Sequence, residues 1–110
     1  MARPMCLLLL DRDPERRTLV RSAMRRRADL VLAAGSPAEA WRYLEQSAVP
    51  IDRALIDIAL AGDSAVSFAA ELQGRFPEVG IVLSVDQPLD TEFRTLRKPY
   101  GVPELWAAMV

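Results

Sequence analysis

This 110-residue chain contains no histidine, one cysteine and one lysine. Each scarcity removes a class of chemistry. Without histidine the commonest general base and metal ligand is missing, so Ser-His-Asp and histidine-metal mechanisms are out of reach. The lone Cys6 has no partner for an internal disulfide. Its place in the apolar run Met5 to Leu10 suits a core thiol in a reducing compartment, and the chain is expected to be cytoplasmic. No apolar run approaches the ~20 residues of a membrane span, and Met5 to Leu10 is too short for a signal peptide. The balance of 14 Lys and Arg against 15 Asp and Glu leaves a formal charge of -1. No global field therefore draws the chain to nucleic acid or to an anionic membrane. Because Lys98 is the only lysine, the other thirteen of the 14 basic residues are arginine.

The residues that are present, 51% hydrophobic and 26% charged, make ordinary globular composition at a length suited to one domain, residues 1–110. Apolar runs alternate with helical patterns. Cys6 to Leu10 reads as a strand buried on both faces. Pro14 opens a helix with Leu19, Val20, Ala23 and Met24 at core spacing. Leu30 to Ala34 is a second strand. Ser36-Pro37-Ala38-Glu39 combines an N-cap serine, a proline at the first helical position and a capping-box glutamate, and Ala40, Trp41, Leu44 and Ala48 follow as the inward side. A third strand, Ala54 to Ile56, stops at Asp57. Gly62-Asp63-Ser64 caps a helix with Val66, Phe68, Ala69 and Leu72 inward. Val79 to Val85 and Thr95 to Arg97 are the fourth and fifth strands. Pro103 opens the last helix, with Leu105, Trp106 and Met109 apolar.

Alternating strands and helices imply βαβ crossovers and a parallel α/β sheet covered on both faces. One connection departs from the rule. Only about ten residues, Val85 to Arg94, join strands four and five, at the lower limit for a helical crossover. The helix expected there is missing or much reduced.

In open parallel sheets, ligands bind beyond the carboxyl ends of the strands. Those ends carry Asp11-Arg12-Asp13, Asp57, Ser84 and Lys98. Carboxylates so placed suit Mg²⁺, which takes oxygen ligands. A hydroxyl and an ammonium suit the oxygens of a transferring phosphoryl group, and a carboxylate between them is a candidate nucleophile.

These motifs resemble those of receiver domains of two-component response regulators. Leu7-Leu-Leu-Leu-Asp-Arg-Asp-Pro14 resembles the family's opening, and Asp57-Ile-Ala-Leu-Ala61 its phosphoacceptor strand end. Ile81-Val-Leu-Ser84 is similar to the strand that ends in serine or threonine. Lys98-Pro99-Tyr100 is similar to the lysine–proline–aromatic signature, in which the lysine–proline bond is cis. The resemblance covers essentially the whole chain. It implies a flavodoxin-like, CheY-like doubly wound sheet of five parallel strands in the order 2-1-3-4-5. It also implies that Asp57 accepts a phosphoryl group from a histidine kinase or phosphotransfer protein, in phosphorelay signalling rather than as an enzyme. Ser84 and Lys98 would contact the phosphoryl oxygens. Asp11, Asp57 and the backbone carbonyl of Ala59 would hold Mg²⁺, with Asp13 as a further candidate. Self-association into a homodimer stays open.

The chain also departs from the pattern. Arg12 stands where the second acidic residue is usual, so Mg²⁺ is expected to bind weakly, with Arg12 as a built-in counter-ion to Asp57. Ala61 replaces a customary proline, the following glycine is displaced to Gly62, and Thr95 replaces the switch aromatic. The short fourth connection is similar to a subgroup lacking that helix. Arg16, Arg17, Arg21, Arg25, Arg26 and Arg27 read as a solvated helix face, with docking of an acidic helix as the alternative. Two other functions compete: a phosphate-independent interaction module of the same fold, and a haloacid-dehalogenase-like phosphohydrolase using Asp11 and Asp13.

Overall fold

The computed structural model describes residues 3–27, 29–60 and 64–110. Among the described residues nine elements follow one another: β1 (Cys6–Leu10), α1 (Pro14–Arg25), β2 (Leu30–Ala34), α2 (Pro37–Gln46), β3 (Arg53–Asp57), α3 (Ala65–Arg75), β4 (Gly80–Val85), β5 (Arg94–Arg97) and α4 (Val102–Ala108). All strand pairings are parallel, in the order β2-β1-β3-β4-β5. This is the flavodoxin-like order that the motifs imply.

The sheet's two faces are distributed by the two-residue period of its strands. Cys6, Leu8 and Leu10 pack with Ala40 and Leu44 of α2 and with Phe68 and Leu72 of α3. Leu7 and Leu9 pack on the opposite face with Val20 and Met24 of α1 and Leu105 of α4. All five β1 residues are buried. Burying an aliphatic side chain of this size contributes about 1.5–3 kcal/mol. The Cys6 thiol is buried and free, and burial raises it above its ordinary pKa.

Each helix start has a local cause. Asp13 caps α1 by accepting from the Glu15 N–H, and Pro14 takes the first helical position. Ser36 accepts from the Glu39 N–H to cap α2. The expected reciprocal bond differs by one residue: the Glu39 carboxylate accepts from the N–H of Gly35 at 2.7 Å. Ser64 caps α3 through the N–H of Ser67. Ala61, Gly62 and Asp63 lie outside the described residues.

Three expected core positions face outward instead. Leu19 and Val66 are exposed, and Ala65 takes the inward place at the start of α3. Ala48 is exposed because α2 ends at Gln46. A short helix presents one stripe about 100° wide, and a neighbour one position away falls on its margin. Trp41 and Trp106 pack partly buried against the two clusters.

No helix joins β4 to β5; residues 86–93 form a loop instead. Phe93 from that loop is buried and joins the α2/α3 cluster beside Leu83 and Val85. It fills part of the area a crossover helix would cover. Among the described residues no helix is long and apolar enough to cross a membrane.

Candidate functional site

Sheet parity brings the candidate residues together. Leu9, Leu55, Val82 and Leu96 all point to the face covered by α1 and α4. Two residues farther along stand Asp11, Asp57, Ser84 and Lys98. Side chains two apart share a face, so all four continue that face past the core to the carboxyl edge. Asp11, Asp57 and Ser84 are the buried polar or charged residues among those described, each 2% exposed or less. A buried charge requires a partner. Asp57 Oδ1 receives the Lys98 ammonium at 2.5 Å and the N–H of Ala59 at 3.3 Å. Lys98 is itself largely covered, and the exposed Asp86 lies 3.6 Å from its Nζ. The Lys98–Pro99 bond is cis, as the signature implies, and Ser84 pairs in register with Asp57.

The second cation of the site comes from an unexpected residue. Arg12 is exposed on the bend between β1 and α1, whereas Arg16 turns inward. Its Nε donates to Asp11 Oδ2 at 2.6 Å and its Nη2 to Asp11 Oδ1 at 3.3 Å. The same Nη2 lies 3.8 Å from Asp57 Oδ2, and Nη1 lies 3.6 Å from Asp13 Oδ2. The hydrogen bond to Asp11 raises the Arg16 pKa above its ordinary value, against the opposing effect of burial. Arg16 therefore departs from the solvated face expected of the α1 arginines. Arg17 is also tied inward, donating to the Asp11 backbone carbonyl at 2.7 Å. Arg16 is the third residue of α1. Helical side chains tilt toward the N-terminus, which aims this one back at the end of β1. That position, three residues after Asp13, was its one signal in the sequence.

Asp13 is spent differently. One oxygen caps α1, and its side chain is 42% exposed. Its own N–H donates to Asp11 Oδ1 at 2.9 Å. Tyr100 lies beside a cleft of about 240 Å³ that Arg16 and Lys98 also line. Its buried hydroxyl has no hydrogen-bond partner among the described residues. Burial pushes the phenol up to about 12, with Asp11 and Asp57 adding to the rise and Arg16 opposing it.

Asp11 and Asp57 are the right donors for a hard divalent cation. As arranged, they do not fit one. The Arg16 guanidinium stands between them, and both Asp11 oxygens already accept hydrogen bonds. Among the described residues, no three His, Cys, Asp or Glu side chains gather as a metal-holding group.

Compared by sequence, the chain matches no family model and no curated protein. Its fold has many solved counterparts. A response-regulator receiver domain from Clostridium thermocellum superposes with TM-score 0.83 at 21% identity, covering 96% of this chain and 90% of that one. The signal receiver domain of an HD-domain-containing protein from Pseudomonas fluorescens gives 0.86 at 18% identity, covering 97% and 92%. A response regulator from Burkholderia pseudomallei, solved with a phosphorylated aspartic acid, a calcium ion and citrate, gives 0.83 at 21% identity, covering 96% and 66%. The chain has, over nearly its whole length, the fold of response-regulator receiver domains.

Proposed function

We propose that this chain is a phosphoacceptor signalling module rather than an enzyme, taking a phosphoryl group on Asp57 from a phosphohistidine of a kinase or phosphotransfer protein. The observation that carries the reading is the buried Asp57–Lys98 pair, with Ser84 in register beside it. Lys98 engages Oδ1, which leaves Oδ2 as the attacking oxygen. In the transfer, Oδ2 forms a bond to phosphorus as the phosphorus–nitrogen bond of the donor breaks. The donor imidazole, protonated on its other ring nitrogen, departs with that electron pair and is neutral once it leaves. Charge that develops on the phosphoryl oxygens is met by the Lys98 ammonium, which already lies against Asp57, and by the hydroxyl of its register partner Ser84. Intact-mass spectrometry after treatment with acetyl phosphate tests the reading. One added phosphoryl group is expected on the wild type and none on Asp57→Ala; label that persists in the variant moves the acceptor elsewhere.

One observation favours a second reading, a phosphate-independent interaction module of the same fold. Arg16 and Lys98 already neutralise Asp11 and Asp57, so the site is electrostatically complete without phosphate. Under that reading acetyl phosphate adds nothing, and Asp57→Asn leaves partner binding unchanged. The phosphohydrolase reading requires Asp13 as acid/base, whereas Asp13 here caps α1 from a half-exposed position.

A further inference from the structure

Two carboxylates buried within reach of one another repel unless a cation lies between them. Here that cation is part of the chain. Arg16 makes two hydrogen bonds to Asp11, at 2.6 and 3.3 Å, and brings Nη2 to 3.8 Å from Asp57. Its own side chain is 28% exposed while those of Asp11 and Asp57 are nearly sealed. The guanidinium thus covers the carboxylates from the solvent side.

We propose that Arg16 is the resident cation of this site, holding the position between Asp11 and Asp57 and keeping divalent metal out. The inference concerns the same site as the acceptor reading, but it stands on the metal alone and is tested without phosphate.

The charges decide the matter. With Arg16 in place, two carboxylates face two cations, and the set of Asp11, Asp57, Arg16 and Lys98 is neutral. A divalent ion entering this set would leave it with two positive charges in a poorly hydrated space, where like charges interact strongly. Without Arg16, Asp11, Asp57 and Lys98 together carry one negative charge, which attracts a divalent ion. Geometry points the same way. A planar guanidinium offers several donors in a fixed fork and can serve two carboxylates at once. Arg16 is also held in place: Asp13 and Pro14 fix the start of α1, and Arg17 ties that turn to the Asp11 carbonyl. Metal entry would have to break the Arg16–Asp11 bonds while leaving the rest of the turn as it is.

The test is a Mg²⁺ titration of the ¹⁵N-labelled chain, following the amides of Ile58 and Ala59 and the Arg16 Nε–H signal. In the wild type those amides should show no saturable shift at millimolar Mg²⁺, and the Nε–H signal should stay in place. Arg16→Gln, which keeps a hydrogen-bonding head but loses the charge, should bind Mg²⁺ at least about tenfold more tightly. Arg16→Lys, which keeps the charge, should stay weak, and so should Arg12→Gln with its Arg16 intact. Saturable wild-type binding at low millimolar Mg²⁺ overturns the proposal on its own, even if Arg16→Gln fails to fold. A folded Arg16→Gln with wild-type affinity overturns it too, as does a gain of affinity in Arg12→Gln. If acetyl phosphate labels neither protein, the acceptor reading falls while this titration still decides the role of Arg16.

Discussion

Asp57 and Ser84 are register partners, the last residue pair that β3 and β4 share. The Ile58 N–H donates to the Ser84 carbonyl at 2.9 Å, which fixes the backbone just beyond Asp57. Partners in a parallel ladder present their side chains to the same face, so Ser84 and Asp57 share one face of the sheet edge. If the Ser84 hydroxyl donates to the phosphoryl oxygen, Ser84→Ala should slow labelling by acetyl phosphate by about a hundredfold, the low end of the range for losing one such donor. The fold should be unaffected, because alanine fits where serine did. An unchanged labelling rate would confine Ser84 to a structural role.

Lys98→Met removes the closest cation from a carboxylate that is 2% exposed. Removing one member of a buried pair costs about 3–5 kcal/mol, because the other is left buried and unpaired. Arg16, 3.8 Å from the second oxygen, compensates in part, so a loss of about 3 kcal/mol is expected, at the low end of that range. Adding Asp57→Asn should restore much of it by removing the stranded charge. Urea unfolding of the single and double variants measures both. A single variant as stable as wild type would mean that the pair contributes nothing.

The alternation of apolar runs and caps made the element order readable in advance, and the four candidate residues stood at strand ends that any parallel sheet brings to one edge. β2 falls at Leu30–Ala34, and the crossover helix is missing where its connection was too short. Arg16 was not legible, for a physical reason. Six arginines crowd α1 and the turn after it, and helical periodicity sorts apolar from polar positions, not one arginine from another. Only the small offset between the end of β1 and the first turn of α1 decides which guanidinium reaches the carboxylates. The same offset leaves Arg12, next to Asp11 in the chain, facing solvent. Leu19 and Ala65 show the converse: a stripe read by spacing can be one residue off at its margin, and packing then chooses.

At the opposite end of β3, Asp52 ties the N-terminal segment to the sheet. Its carboxylate accepts from Arg3 at 2.6 and 2.8 Å and from the Cys6 N–H at 2.8 Å. The Arg3 hydrogen bond, aided by that of Cys6 and opposed by burial, lowers the Asp52 pKa below its ordinary 3.8. A carboxylate with a lowered folded pKa contributes stability that is full above its unfolded pKa and is lost as pH falls through the folded value. Wild-type stability should therefore decline below about pH 4, and Asp52→Asn should flatten that decline. At neutral pH the variant should be only modestly less stable, since Arg3 is half exposed and solvent screens the pair. Parallel acid limbs in the two proteins would remove Asp52 from the pH dependence.

Tyr100 carries a hydroxyl that is buried without a partner among the described residues. Deleting such a group removes a desolvated atom without breaking a bond, so Tyr100→Phe should be neutral or stabilising by up to about 1 kcal/mol. Its pH signature is sharper. Burial first, and then the negative charges of Asp11 and Asp57, hold the phenol up to about 12 from its ordinary 10.0, while Arg16 acts against them. A group whose folded pKa is raised contributes fully below its unfolded pKa and loses that contribution as pH rises through the folded one. Between pH 10.0 and about 12 the unfolded chain gives up this proton while the folded chain keeps it, so wild-type stability should fall across that window. Tyr100→Phe should fall less steeply over the same range. Ultraviolet titration of phenolate absorbance supplies the direct check: a tyrosine ionising near 12 in the folded wild type should vanish in the variant. If the late ionisation remains in Tyr100→Phe, another tyrosine is responsible and the phenol at the cleft is not held in its neutral form.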